Sequence, residues 1–204
     1  MKKAFTLLEL VFVIVVIGIL AATVLSRSDN TRVQEAAIQV VSHIRYAQHL
    51  AMIDDHFDTV HVNNANNANW FRARWQIFFQ VDNLGNQNQV YLIYSDKDFD
   101  GNLAANGEIA IDPLSGRQMT GNTGWNNSIS SMNLTRTYGI IARAFTGGCA
   151  NSAKIVFDHL GRPHINDNTA YGSLMNTQCQ MTFMGNDGNV TIAIEPETGY
   201  VHIL

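Results

Sequence analysis

Hydrophobic positions follow three regimes along the chain. From Ala4 to Leu25 they are almost continuous, and only Thr6, Glu9 and Thr23 are clearly polar. As a helix this stretch spans roughly 33 Å, about the thickness of a bilayer's hydrocarbon core. Lys2 and Lys3 precede it and predict an N-terminus held on the cytoplasmic side. The second regime has helical spacing. Val33, Ala37, Val40, Ile44, Ala47 and Ala51 recur every three or four residues, and Ala36, Val41 and Leu50 widen the stripe. Arg32, Gln34, Glu35, Gln39, Ser42, His43, Arg45 and His49 occupy the opposite side, so the segment reads as an amphipathic helix. Together the two regimes predict one rod from Phe5 to about Ile53, loosened or kinked at the polar run Ser26 to Thr31. The pair Asp54-Asp55 ends it. An anchored coiled coil is the competing reading of such a rod, and the β-rich remainder argues against it.

The third regime has period two. Strands are predicted at Thr59–Val62, Arg72–Phe79, Val90–Ser95, Gly139–Ala144, Lys154–Asp158, Gln180–Met184, Val190–Ile194 and Tyr200–Leu204. Val90 to Ser95 is apolar on both faces. Asn63–Asn69, Asn83–Gln89, Gly147-Gly148, Gly161-Arg162-Pro163, Asn186-Asp187-Gly188 and Glu195–Gly199 read as loops and turns. Asp187-Gly188 suits a type I′ hairpin turn. The fold class expected is α+β: a long N-terminal helix packed on a meandering antiparallel sheet. The organisation expected is residues 1–4 as a leader, 5–27 as an apolar membrane or filament-core helix, 28–55 as its amphipathic half, and 56–204 as a β-rich head.

Glu9 does not suit an ordinary anchor. A carboxylate near the bilayer centre costs about 2.5–3.5 kcal/mol on insertion scales, so its presence points to a function and a partner cation. The surrounding residues, Ala4-Phe5-Thr6-Leu7-Leu8-Glu9-Leu10, resemble the processing site of type IV prepilins and type II secretion pseudopilins. The likeness lies in the short basic leader, a small residue before the cut, Phe after it and Glu four positions beyond Phe. The usual Gly before the cut is Ala4 here. The resemblance implies cleavage between Ala4 and Phe5 by a prepilin peptidase, and N-methylation of Phe5. The Glu9 carboxylate of one subunit would then meet the Phe5 amine of its neighbour. Unpaired, each charge would cost several kcal/mol in apolar surroundings, so the pair would fix axial register. A secretory signal peptide cut near Ala21-Ala22 is the alternative, and Glu9 inside the apolar run argues against it.

Three further segments sharpen the likeness. Ser42–Met52 (SHIRYAQHLAM), Lys154–Pro163 (KIVFDHLGRP) and Thr191–Val201 (TIAIEPETGYV) are similar to segments of H-type minor pseudopilins and FimT-like minor pilins. The implied function is that of a non-enzymatic structural subunit of a type II secretion or type IV pilus filament. The implied location is the inner membrane, single-pass, with the head in the periplasm or in an extracellular filament. Other pilin or pseudopilin subunits and the prepilin peptidase are the implied partners. A ligand- or DNA-binding minor pilin of a competence or adhesive pilus is the alternative.

Charge changes the picture modestly. The formal net charge is −4, and removal of Lys2 and Lys3 with the leader takes it to −6. Nucleic-acid binding normally needs a concentrated basic face, so a nucleic-acid partner is disfavoured. Arg72, Arg74, Arg136 and Arg143, with Trp70, Phe71 and Trp75 nearby, are the residues that could still hold single-stranded DNA. Cys149 and Cys179 are the two cysteines. In an oxidising exported compartment they are expected to form a disulfide, two unpaired thiols being the alternative.

Candidate chemistry is confined to one acidic loop. Asp96, Asp98, Asp100 and Asn102, with Gly101 for a sharp turn, resemble the start of a calcium loop. Glu108 stands one position beyond the usual closing glutamate, so the match is imperfect. Calcium is the one cofactor the sequence suggests, and none is required. An acidic loop of Asx turns is the plain alternative. The seven histidines, His43, His49, His56, His61, His159, His164 and His202, show no ligand-like spacing, and no nucleophile or phosphate-loop motif occurs.

Overall fold

The computed structural model describes residues 6–25, 29–54, 73–82, 84–97, 107–165 and 173–204. It has an α+β architecture with three α-helices, one short 3-10 helix at Ser130–Met132 and eight strands among these residues. Helix α1 spans Leu7–Leu25 and α2 spans Asp29–Ile53. Continuity of the expected rod falls on residues 26–28, outside the described set. At 19 residues, α1 is about 28 Å long. Among the described residues, no helix is long and apolar enough to cross a membrane.

The strands are β1 Trp75–Val81, β2 Gln89–Ser95, β3 Ile140–Gly147, β4 Lys154–Phe157, β5 Pro163–Ile165, β6 Cys179–Gly185, β7 Gly188–Ile194 and β8 Val201–Ile203. They form two sheets rather than the single meander expected. The first has the order β2-β1-β4-β5 and the second β3-β6-β7-β8, with all named pairs antiparallel. The expected strand at Thr59–Val62 lies outside the described residues. The turn expected at Gly161-Arg162-Pro163 is tighter than supposed, because Pro163 already pairs with Phe157 in β5. The hairpin at Asn186-Asp187 is present, with Gly185 paired to Gly188. It is not type I′: Asn186 and Asp187 keep negative φ, and the positive φ falls on Gly188, at 140°.

Helix α2 covers both sheets. Its stripe of Val33, Ala36, Ala37, Val40, Val41, Ile44, Ala47 and Ala51 is buried against strands of each, as the helical spacing requires. Phe79 of β1 joins the sheets beneath it, with ring centres 5.5 Å from Tyr91, 5.6 Å from Phe145 and 5.7 Å from Phe183. Polar side chains of α2 secure the ends. Gln48 donates to Gly161 O in the β4–β5 turn at 2.8 Å and to Thr198 O in the β7–β8 turn at 2.9 Å. Gly199, at φ 65°, leaves room for that amide; a Cβ there would lie 2.7 Å from Gln48 Nε2. Trp75 Nε1 donates to Asp54 Oδ2 at 2.8 Å and ties the helix end to β1.

The apolar run on both faces of β2 has its reason here. Leu92, Tyr94 and Ile109, with Phe78 and Trp125, form a second small core on the outer side of the first sheet. The chain between β2 and β3 covers it, through single bridges such as Leu92 to Thr120 and Tyr94 to Ile109. Short helix α3, Leu134–Tyr138, follows; Asn133 accepts from Arg136 N at its start and Gly139 closes it at φ 71°. Cys149 and Cys179 are bonded, with Cα atoms 5.0 Å apart and both side chains buried. The bond fastens the turn after β3 to the first residue of β6.

Candidate assembly site and the helix-to-head junction

The first turn of α1 starts with Thr6, whose Oγ1 accepts from Glu9 N at 3.3 Å, an N-cap contact. Glu9 lies in that first turn, where a negative charge meets the positive end of the helix dipole. Around it the helix surface is apolar and exposed on all sides. Leu7 is 81% exposed and Phe12 70%, and Leu8, Ile14, Ile17, Ile19 and Leu20 are likewise open. A contiguous apolar surface of this kind marks a place covered by lipid or by protein. Ala4 and Phe5, expected to form the cleavage site, lie outside the described residues.

The junction of α2 with the head is polar at its centre. Gln39 Nε2 donates to Tyr91 Oη at 2.7 Å and to Ser131 O at 2.9 Å. Tyr138 Oη donates to Gln39 Oε1 at 2.7 Å, and Tyr91 Oη lies 2.8 Å from His43 Nδ1. Tyr91 therefore accepts from Gln39 and donates to an unprotonated His43 Nδ1. Burial pushes the His43 pKa below its ordinary 6.5, against the pull of Asp112. Burial likewise drives the Tyr91 hydroxyl far above its usual range. The network is neutral and matched in donors and acceptors, which lets it sit inside a helix–sheet interface.

The sequence reading missed a second cluster. Asp158 Oδ1 accepts from the backbone N–H groups of Leu160 at 3.0 Å and Arg162 at 2.9 Å. Its Oδ2 accepts from Arg162 Nε at 2.8 Å and meets His164 Nε2 at 3.1 Å. His164 Nδ1 lies 3.3 Å from Ser173 Oγ. Burial alone would raise the Asp158 pKa, but these donors outweigh it and hold the carboxyl well below the usual carboxylate range. The order Ser, His, Asp resembles a nucleophile relay. His164 is 1% exposed, and the bonds to Asp158 make the cluster a lock on the β4–β5 turn. The run Asp158-His-Leu-Gly161-Arg162-Pro163 carried this signal, an Asp followed by a turn whose N–H groups fold back on its carboxylate.

The calcium residues are split. Asp98, Asp100 and Asn102 lie outside the described residues, while Asp96 and Glu108 are buried. Glu108 Oε1 accepts from Lys97 N at 2.9 Å. The Tyr94 hydroxyl is raised first by burial and then by Asp96 and Glu108, so both carboxylates flank that ring. Among the described residues, no three His, Cys, Asp or Glu side chains converge as a metal site.

Of the expected basic strip, Arg136 is exposed on α3 and Trp75 is buried in β1. Arg72, Trp70 and Phe71 lie outside the described residues. Arg74 is buried next to β1, and Arg143 donates to Phe79 O at 3.1 Å, Gln80 O at 3.2 Å and Gln89 Oε1. Arg74 is thus withdrawn from the surface, and Arg143 is held by neutral oxygens at the margin of β1 rather than set in a continuous basic strip.

Comparison with known proteins gives one positive finding. Residues 1–25 match the family model of the prokaryotic N-terminal methylation motif. No curated protein and no solved structure matches the chain. The N-terminal 25 residues thus carry the signature of a prokaryotic N-terminal methylation signal.

Proposed function

We propose that this chain is a minor pseudopilin or minor pilin, a structural subunit added to a type II secretion or type IV pilus filament. One observation carries the reading. The matched segment contains a helix, Leu7–Leu25, whose side chains from Leu7 to Ala21 are exposed and apolar apart from a single acid, Glu9. Before assembly, the Ala4–Leu25 segment sits in the inner membrane with the head in the periplasm. In the filament, neighbouring helices replace lipid around it, and the apolar surface remains covered throughout.

Cleavage after Ala4 creates the Phe5 amine, and methylation keeps it cationic. The Glu9 carboxylate of an adjacent subunit meets that amine in surroundings where neither charge is solvated. A slip of one residue strands both, at a cost of several kcal/mol each. The head adds a rigid mount: α2 is fixed to both sheets, so force on the helix reaches the whole β-structure.

Intact-mass spectrometry of the protein expressed with a prepilin peptidase tests the processing step. The expected mature species begins at N-methylated Phe5. A species retaining Met1, or one cut near Ala21-Ala22, contradicts the reading.

A further inference from the structure

Strand β3 is an edge of the second sheet. Gly148 N donates to Gln178 O at 2.8 Å, and the register runs Gly147–Cys179, Thr146–Gln180, Phe145–Met181, Ala144–Thr182, Arg143–Phe183. In an antiparallel pair, hydrogen-bonded residues alternate. Thr146 and Ala144 therefore exchange bonds with β6, while Arg143 and Phe145 turn their N–H and C=O groups outward. No described backbone group meets these four. A register shift between Ile140 and Ala142 limits the open edge on one side.

A groove of about 390 Å³ runs along this edge, lined by Gln89, Ile141, Arg143, Phe145, Asn151 and Ser152 among others. Its charge is one-sided. Among the described residues, Arg143 is its one cation, the three acceptors on the guanidinium are neutral oxygens, and no carboxylate lines the groove. Ile141, 56% exposed, supplies an apolar wall.

The geometry points to a docking site in which an extended segment of another polypeptide, carrying an Asp or Glu, adds as a strand along β3 with its carboxylate toward Arg143. Two residues two apart, each offering one donor and one acceptor, are what an incoming strand matches. The acid completes the uncompensated guanidinium. Two copies of this chain pairing edge to edge would instead bring both Arg143 cations into one groove. The proposal does not depend on the filament reading, because the site lies wholly within the head.

The test is amide hydrogen exchange of the full chain in detergent micelles, with a capped Thr-Val-Glu-Val-Thr peptide as probe. Exchange at Arg143 and Phe145 should slow by roughly tenfold or more at saturation. The same peptide with Lys for Glu, or with N-methylated backbone amides, should leave it unchanged. Arg143→Gln should weaken the binding. Since Arg143 also bonds β1, Ile141→Lys and Ile141→Glu at the exposed wall provide the second arm, the first tightening and the second weakening the acidic peptide. Equal slowing by the Lys peptide, no slowing by either, or protection that grows with protein concentration without peptide would each overturn the proposal.

Discussion

Replacing Tyr91 by Phe tests how α2 is held to the head. The ring contact with Phe79 remains, and only the hydroxyl is lost. Gln39 keeps Ser131 O and Tyr138 as partners, so the main damage falls on His43, whose Nδ1 loses its donor. A lost hydrogen bond costs about 1 kcal/mol and an unsatisfied buried acceptor roughly 1–3 kcal/mol. Because His43 is only part-buried, water relieves some of this, and the expected cost is about 2 kcal/mol. For a chain of this size that lowers Tm by roughly 4–8 °C. Thermal unfolding of the full chain in micelles, followed by near-UV circular dichroism, measures it. A Tm within about 1 °C of wild type would refute the claim that this network stabilises the junction.

The same network predicts a pH effect. The folded His43 pKa lies below the unfolded 6.5, so the unfolded state takes up protons first as pH falls. Stability is fully present above 6.5 and declines below it, and His43→Gln should lose that part of the slope in denaturant titrations at pH 7.5 and 5. Converting Cys149 and Cys179 to Ser should cost about 3–4 kcal/mol on the chain-entropy account, read from urea midpoints; an unchanged midpoint would show the bond to be energetically idle. Calcium binding by Asp96, Asp98, Asp100, Asn102 and Glu108 should raise Tm in millimolar calcium relative to chelator, by an amount Asp98→Ala removes. Equal values in both conditions would leave an ordinary acidic turn.

The elements were legible where one physical constraint dominated. The stripe Val33 to Ala51 could face only one way, and every strand with clear alternation formed within the described residues. The partition into two sheets was not legible, because it depends on which strands meet across α2, a long-range choice that period two does not encode. Strand β5 is three residues long and starts at a proline, so its pattern was hidden inside a turn signal. Helix α3 had its Asn133 cap and Gly139 stop in plain view, but five residues are too few for a periodicity. Of the candidate site, Glu9 stood out because a lone acid in an apolar run has no packing reason. The Asp158 lock did not, since its four donors converge only once the turn is folded. Two arginines of the expected surface strip sit within the fold, Arg74 buried and Arg143 capping β1 carbonyls beyond the end of β4.

The register pair is tested most directly by filament incorporation of Glu9→Ala in cells that make the whole machine. The variant should still be membrane-anchored and cleaved before Phe5, because the apolar run and cut site are intact. Its recovery in sheared or cross-linked filaments should fall sharply, since the Phe5 amine is left without a partner. Incorporation at the wild-type level, with processing confirmed, would contradict the assignment of Glu9 as the residue that sets subunit register.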